Sequence, residues 1–236
     1  MSPRFLAVIP AYNEAETIEE LVTRAGRHAD VCVVDDASKD ATPEILARLA
    51  RLARPTGGVH VIRHQTNTHI AGGILDGFGY ARDAGYDFCI TLDAGLSHDP
   101  DAIPLFQARS GADLVLGYRA ERIDVPLYRQ ALSWCGTTAM NLALEGRRVP
   151  WGGAGLRDVT SGYRMYSRRA FECVLDAGVR ARTFDFHLEA LAHAYRAGLR
   201  IEEVPISYAF TRSSLQPAIV ADAVRTCLRL WRGHAG

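Results

Sequence analysis

The segment Phe5–Glu14, FLAVIPAYNE, decides the fold: an apolar run, Phe5–Ile9, passes through Pro10 into Tyr12, Asn13 and Glu14. The run does not alternate, so both faces of the strand it predicts must be covered, as in a parallel sheet. The same order recurs downstream. Val31–Val34 leads into Asp35 and Asp36, Phe88–Leu92 into Asp93, and Leu114–Leu116 into Tyr118 and Arg119, while Val59–Ile62 precedes Asn67–Gly73. Helical patterns lie between these runs. Ile18, Leu21, Val22 and Ala25 fall on one face, and Ile45, Leu49 and Leu52 form a second stripe. Thr42-Pro43-Glu44 opens that second helix as an N-cap followed by proline. Residues 1–117 therefore read as βα units and predict an α/β fold, a mostly parallel, doubly wound sheet flanked by helices.

The second half reads differently. Leu127–Leu144 is a long helical pattern and Gly152-Gly153-Ala154-Gly155 a loop; Phe171–Ala177, Phe184–Ala197 and Ala218–Trp231 follow as helices, with a strand at Ile201–Val204. No linker, repeat or low-complexity tract divides the chain, and 236 residues suit a single domain. In it, residues 1–117 bind a ligand and residues 118–236 complete the site. Lys and Arg number 27 and Asp and Glu 27, so the net basic field of a nucleic-acid binder is lacking. The five cysteines form no CxxC, which disfavours a zinc knuckle or disulfide framework and points to a reducing compartment. The N-terminal apolar run is too short for a signal peptide, and no stretch approaches the roughly 17 apolar residues needed to span a bilayer. The expectation is a cytoplasmic protein, soluble or peripheral to a membrane.

Open α/β sheets bind ligands beyond the carboxyl ends of their strands. Asp and Asn are also common in turns and caps, but polar or acidic groups in register at four strand ends favour a site. Phosphate-loop readings fail: Gly72–Phe78 has P-loop spacing with Phe78 where lysine is required, and no GxGxxG follows the first strand. Ser97-His98-Asp99 are chain neighbours and cannot meet as a catalytic triad. The acids suggest instead a nucleotide held through its metal and its base. Asp93 is placed to hold Mg²⁺ or Mn²⁺ against a diphosphate, and Asp35 and Asp36 to accept hydrogen bonds from a base or ribose.

IPAYNE (Ile9–Glu14), VVDDASKD (Val33–Asp40), LDAGLSHDP (Leu92–Pro100), DVTSGYRMY (Asp158–Tyr166) and EEVPISY (Glu202–Tyr208) stand in an order that resembles the inverting family 2 glycosyltransferases of the GT-A fold. The dolichol-phosphate and polyprenol-phosphate mannosyltransferases are the branch they look most like. The resemblance implies a GDP- or UDP-linked sugar donor, a divalent metal and inversion at the anomeric carbon. It places Pro10, Tyr12 and Glu14 around the nucleoside, Asp36 at its base or ribose, and Asp93 with Ala94 at the start of a DxD-type metal motif. It puts Arg119, Arg129 and Ser133 on an acceptor phosphate, and Asp158, Ser161, Gly162 and Arg164 beside the diphosphate. The implied catalytic set is Asp93, Arg119, Arg129 and Arg164, with Asp93 as the metal ligand. Arg129, Ser133 and Thr137 also make one polar stripe on a helix, suited to phosphate if it faces inward and otherwise a solvated face.

Two positions depart from the family pattern. Asp93-Ala94-Gly95 lacks the second carboxylate of the metal motif, with His98 or Asp99 open as substitutes, and Asn67–Ile70 stands where a Gly/Lys-bearing loop is usual. Phe184–Glu189 resembles the family's Phe-x-x-x-x-Glu helix, which makes Asp185 and Glu189 the substrate-side acids. Either is a candidate general base for a hydroxyl acceptor, whereas an ionised phosphate acceptor needs none. In the tail, Val220, Val224, Cys227, Leu228 and Trp231 share one side and Arg225, Arg229 and Arg232 another. This amphipathic helix either packs on the core or lies at a membrane surface. The expected function is sugar transfer from an NDP-sugar to a polyprenyl phosphate or similar acceptor. A soluble transferase for a small-molecule or natural-product acceptor and a silent nucleotide-sugar-binding relative are the alternatives.

Overall fold

The computed structural model describes residues 2–51, 58–145, 154–210 and 217–232. Leu52 and Gly152-Gly153, read above as part of a stripe and of a loop, lie outside them. Seven strands form one sheet: β1 (Phe5–Ala11), β2 (Asp30–Asp35), β3 (Val59–Arg63), β4 (Phe88–Thr91), β5 (Leu114–Ile123), β6 (Arg164–Ser167) and β7 (Ile201–Ala209). Their order is β3-β2-β1-β4-β6-β5-β7, and only β6 runs antiparallel to its neighbours. The mostly parallel sheet read from the apolar runs is therefore the one observed. β6 escaped the sequence reading because its four residues follow a polar loop and carry no run of their own.

Among the described residues eight α-helices flank the sheet: α1 (Ile18–Ala25), α2 (Thr42–Arg51), α3 (His69–Asp83), α4 (Ile103–Gln107), α5 (Leu127–Glu145), α6 (Arg168–Asp176), α7 (Phe186–Arg196) and α8 (Pro217–Arg232). Alternation along each strand feeds two cores. Leu6 and Val8 of β1, with Cys32 and Val34 of β2, pack towards α3, α5, α6 and α7. Ala7 and Ile9, with Val31 and Val33, pack towards α1, α2 and α4. Continuous apolarity was the signal that both faces are buried.

Helix α3 lies unusually close to β1. A Cβ on Gly77 would fall 2.2 Å from Val8 Cγ1, and one on Gly73 2.8 Å from Pro10 Cβ. These glycines are one helical turn apart and let the helix seat directly on the strand. Gly77, the second glycine of the spacing tested against a phosphate loop, is thus a packing residue.

Candidate active site

β1 pairs with β2 on one side and with β4 on the other. The connections diverge here, and the carboxyl ends of these strands border a cleft of about 1440 Å³. Its floor is stitched by side chains from the two loops that flank it. Asn13 N–H donates to Ser38 Oγ, Lys39 N–H to Asn13 Oδ1, Glu14 N–H to Thr42 Oγ1 and Ala15 N–H to Asp40 Oδ2. Thr42, read as an N-cap, holds the β1 loop instead, and Asp40 Oδ1 accepts the Thr42 N–H. Asn13, Ala37, His69 and Leu96 adopt positive φ values of 56°, 63°, 63° and 55°. Three lie in the loops at this edge and His69 opens α3 there, where a firmly held scaffold tolerates such backbone.

Pro10, Tyr12, Glu14 and Asp36 line one end of the cleft. Asp36 is nearly buried, and its Oδ1 accepts from Thr68 N–H (2.7 Å), Thr68 Oγ1 (2.9 Å) and His64 Nδ1 (2.8 Å). His64 Nε2 meets Asp76 Oδ2 at 2.7 Å. Burial alone would lower the His64 pKa, but its bonds to Asp36 and Asp76 and their charges raise it above its ordinary value. Asp35 takes a different place from the one expected. It is fully buried, its Oδ1 accepts Ser38 N–H, and it does not line the cleft. Successive side chains on a strand point to opposite faces, so the adjacent pair cannot serve one ligand.

Asp93, Ala94, Gly95 and His98 line the middle of the cleft. His98 is 2% exposed, its Nδ1 is 3.5 Å from Asp93 Oδ2, and neither ring nitrogen has a hydrogen-bond partner among the described residues. Burial lowers its pKa. Asp99 is committed elsewhere: it pairs with Arg24 and accepts Asp101 N–H. Among the described residues no group of three or more His, Cys, Asp or Glu side chains converges as a ready metal site. The partly exposed Asp93 carboxylate and the orphaned buried imidazole fit a divalent ion that takes its other ligands from water and a diphosphate.

Basic residues gather beyond Asp93. The register of β5 against β7 shifts between Arg119 and Glu121, at the point where Arg119 enters the cleft. Arg119 Nε donates to Asp158 Oδ2 (2.6 Å) and Nη2 to Asp158 Oδ1 (2.8 Å) and Ser133 Oγ (2.8 Å); Nη2 also meets Thr160 Oγ1. Burial would raise Asp158, but the bonds and charge of Arg119 hold it below the ordinary carboxylate value. Arg129 stacks 5.2 Å from the Phe210 ring, and Arg122 lies 4.0 Å from Asp158 Oδ2. Ser133 faces the cleft and Thr137 is buried, so the polar stripe of α5 points inward. Leu127, Tyr128, Trp134 and Leu142 are exposed instead.

Three further residues do not reach the cleft. Arg164 is 0% exposed, and its nitrogens donate to the Ser161, His187 and Val159 carbonyls. It shapes the Val159–Gly162 loop from behind rather than facing a diphosphate, whereas Ser161 and Gly162 line the cleft. Asp185 accepts from Thr183 N–H, Thr183 Oγ1 and Thr226 Oγ1. Glu189 accepts from Arg180 N–H, Ala181 N–H and Arg229. These two acids fasten α8 and the loop before α7, so neither is free to act as a base. Burial and pairing of this kind leave no mark in a one-dimensional motif. Thr160, Phe184 and Tyr208 also line the cleft; each stands inside a quoted motif, but the motif gave it no role.

The sequence model described as Glycosyl transferase family 2 matches residues 6–175. This chain belongs to glycosyl transferase family 2. It is 33% identical over 233 residues to the undecaprenyl-phosphate mannosyltransferase of Micrococcus luteus, covering 94% of this chain and 91% of that one. To the polyprenol monophosphomannose synthase of Mycolicibacterium smegmatis it is 32% identical, covering 87% of this chain and 77% of that one. In fold it is similar to the glucosyl-3-phosphoglycerate synthase of Mycobacterium tuberculosis solved with Mn²⁺ and uridine-diphosphate-glucose. The TM-score is 0.73 at 17% identity, over 98% of this chain and 80% of that one. The family 2 membership makes the chain a glycosyltransferase, and its α/β sheet is the GT-A fold of these neighbours.

Proposed function

We propose that the chain transfers a sugar, with inversion, from a GDP- or UDP-linked donor to a polyprenyl phosphate. The cleft itself carries this reading. One continuous space runs from Asp36 and Asp93 past Arg119 and Arg129 to Leu132, Val220, Val224 and Leu228 between α5 and α8. It is polar at a nucleotide's end, basic in the middle and apolar at the far end, which matches a lipid monophosphate meeting a nucleotide sugar. The donor half, residues 1–117, and the acceptor half, residues 118–236, meet at this cleft.

Asp36 accepts from the nucleoside, with Pro10, Tyr12 and Glu14 around it. Asp93 faces the diphosphate, and Ser161 borders that position. A divalent ion, Mg²⁺ or Mn²⁺, would be held from Asp93 and would neutralise charge on the leaving diphosphate. Arg129 and Arg119 orient the acceptor phosphate, with Ser133 fixing the Arg119 fork. A phosphate oxygen is already ionised, so no general base is required, in keeping with the structural duties of Asp185 and Glu189. A hydroxylated small-molecule acceptor would need such a base.

Exposed Leu127 (82%) and Trp134 (69%) on α5, together with Val224, Leu228 and Trp231 on α8, support peripheral contact with a lipid surface. No helix among the described residues is long and apolar enough to cross a membrane. The test is transfer from radiolabelled GDP- and UDP-sugars to a polyprenyl phosphate in detergent. Product that resists base but yields to mild acid supports the reading, and transfer only to unphosphorylated acceptors overturns it.

A further inference from the structure

Resting on that reading, we propose that His98 is the second protein ligand of the divalent ion and stands in for the carboxylate that Gly95 does not supply. Four observations converge on it. First, His98 Nδ1 lies 3.5 Å from Asp93 Oδ2. That is too long for a good hydrogen bond. It is close to the spacing of about 3 Å between adjacent ligands of an octahedral ion bound at ~2.1 Å.

Second, both His98 ring nitrogens are buried without a hydrogen-bond partner among the described residues. Such groups are costly to bury, and an orphaned one in a native cleft calls for a ligand. Third, the ring is positioned. Its centroid is 5.4 Å from that of Tyr163 and 5.2 Å from that of Tyr208, and a backbone bridge to Tyr208 holds the residue. The chain turns back towards Asp93 through Leu96, at φ 55°. Fourth, the other candidates drop out. Asp99 pairs with Arg24. His187, also orphaned, lies behind Gly162 and does not line the cleft.

A mixed carboxylate–imidazole anchor changes the metal preference. Imidazole suits the later first-row ions better than Mg²⁺, so Mn²⁺ and Co²⁺ should bind more tightly than Mg²⁺. A Cβ on Gly95 would meet nothing within 4 Å, and Gly95 is not at positive φ, so an aspartate can be introduced there.

The experiment uses the full chain labelled with [¹⁵N]histidine, bound to Mn²⁺ with GDP or with UDP, and read by electron spin-echo envelope modulation. One directly coordinated ¹⁵N is expected, and it should vanish in His98→Phe. Ternary Mn²⁺ affinity should fall at least roughly tenfold there, since losing even an outer-shell partner costs ten- to a hundredfold. Adding Gly95→Asp to that variant should recover affinity without recovering the nitrogen signal. Mn²⁺ bound with nucleotide but showing no ¹⁵N coupling overturns the assignment, and the wild-type spectrum decides this even if His98→Phe does not fold. Unchanged Mn²⁺ affinity in folded His98→Phe also overturns it. A chain that binds neither nucleotide, with or without Mn²⁺, overturns the donor reading as well.

Discussion

On the proposed donor reading Asp36 has two duties, which sets its expected phenotype. It accepts three hydrogen bonds from the protein on Oδ1, and the proposal gives Oδ2 to the donor. Losing a hydrogen bond to a charged group costs about 1.5–3 kcal/mol, so Asp36→Ala should weaken GDP or UDP binding by roughly ten- to a hundredfold. The variant should also melt earlier, because the Thr68 N–H and His64 lose their acceptor. Calorimetry for affinity and thermal melts for stability separate the two effects. His64 adds a pH dependence: donating to Asp36 and Asp76 at once requires the imidazolium. Its folded pKa lies above the ordinary 6.5, so the stability it contributes is full below that value and is lost as pH rises through the folded one. His64→Gln should flatten the alkaline side of the melting profile. At the acceptor end, Arg129→Ala should raise the KM for polyprenyl phosphate with nucleotide affinity little changed. Full activity of that variant would remove Arg129 from the acceptor site.

Helices α3 and α5 illustrate opposite uses of small and apolar residues. Gly77 gives α3 its close approach to β1, and its missing Cβ would stand 2.2 Å from Val8 Cγ1. Gly77→Ala should therefore destabilise the protein by about 1–3 kcal/mol through overpacking, measured by denaturant unfolding. In α5 Ser133 and Thr137 turn inward beside buried Met140 and Leu144, while Leu127, Tyr128, Trp134 and Leu142 are left exposed, an apolar face that an ordinary surface helix would not show to water. Leu127→Glu with Trp134→Glu should abolish co-sedimentation with lipid vesicles. Activity on a short, water-soluble polyprenyl phosphate should survive. Vesicle binding that is unaffected would mean the exposed face serves something other than lipid.

The whole molecule couples its acid stability to the same framework that builds the cleft. Asp158 and Glu189 lie below their ordinary values of 3.8 and 4.5; burial would raise both, but hydrogen bonds and neighbouring cations outweigh it. A depressed carboxyl contributes stability that is full above its unfolded pKa and lost as pH falls through the folded one. Acid unfolding should therefore begin below about pH 4.5 and involve the Arg119 clamp and the α8 tether together. A melting profile with Asp158→Asn should show a shallower acid limb than wild type. A limb of unchanged slope would assign acid lability to other groups.

Composition and pattern determined much of this protein. Unalternating apolar runs require burial on both faces, so β1, β2, β4 and the start of β5 were legible, as were the amphipathic stripes of α1 and α2. Acids past the strand ends marked the cleft because a parallel sheet gathers those ends along one edge. Tertiary structure alone decided which of those side chains face the cleft. Asp35 and Asp36 are adjacent in sequence, yet strand geometry sends only Asp36 to the cleft. Arg164, Asp185 and Glu189 match site motifs but are consumed by carbonyls, backbone N–H groups and the α8 tether. The opening between α5 and α8 is likewise a matter of packing, because an amphipathic stripe specifies a face and not what covers it. Local sequence carries periodicity and chemical type, whereas partnership between residues far apart in the chain exists only once the fold has brought them together.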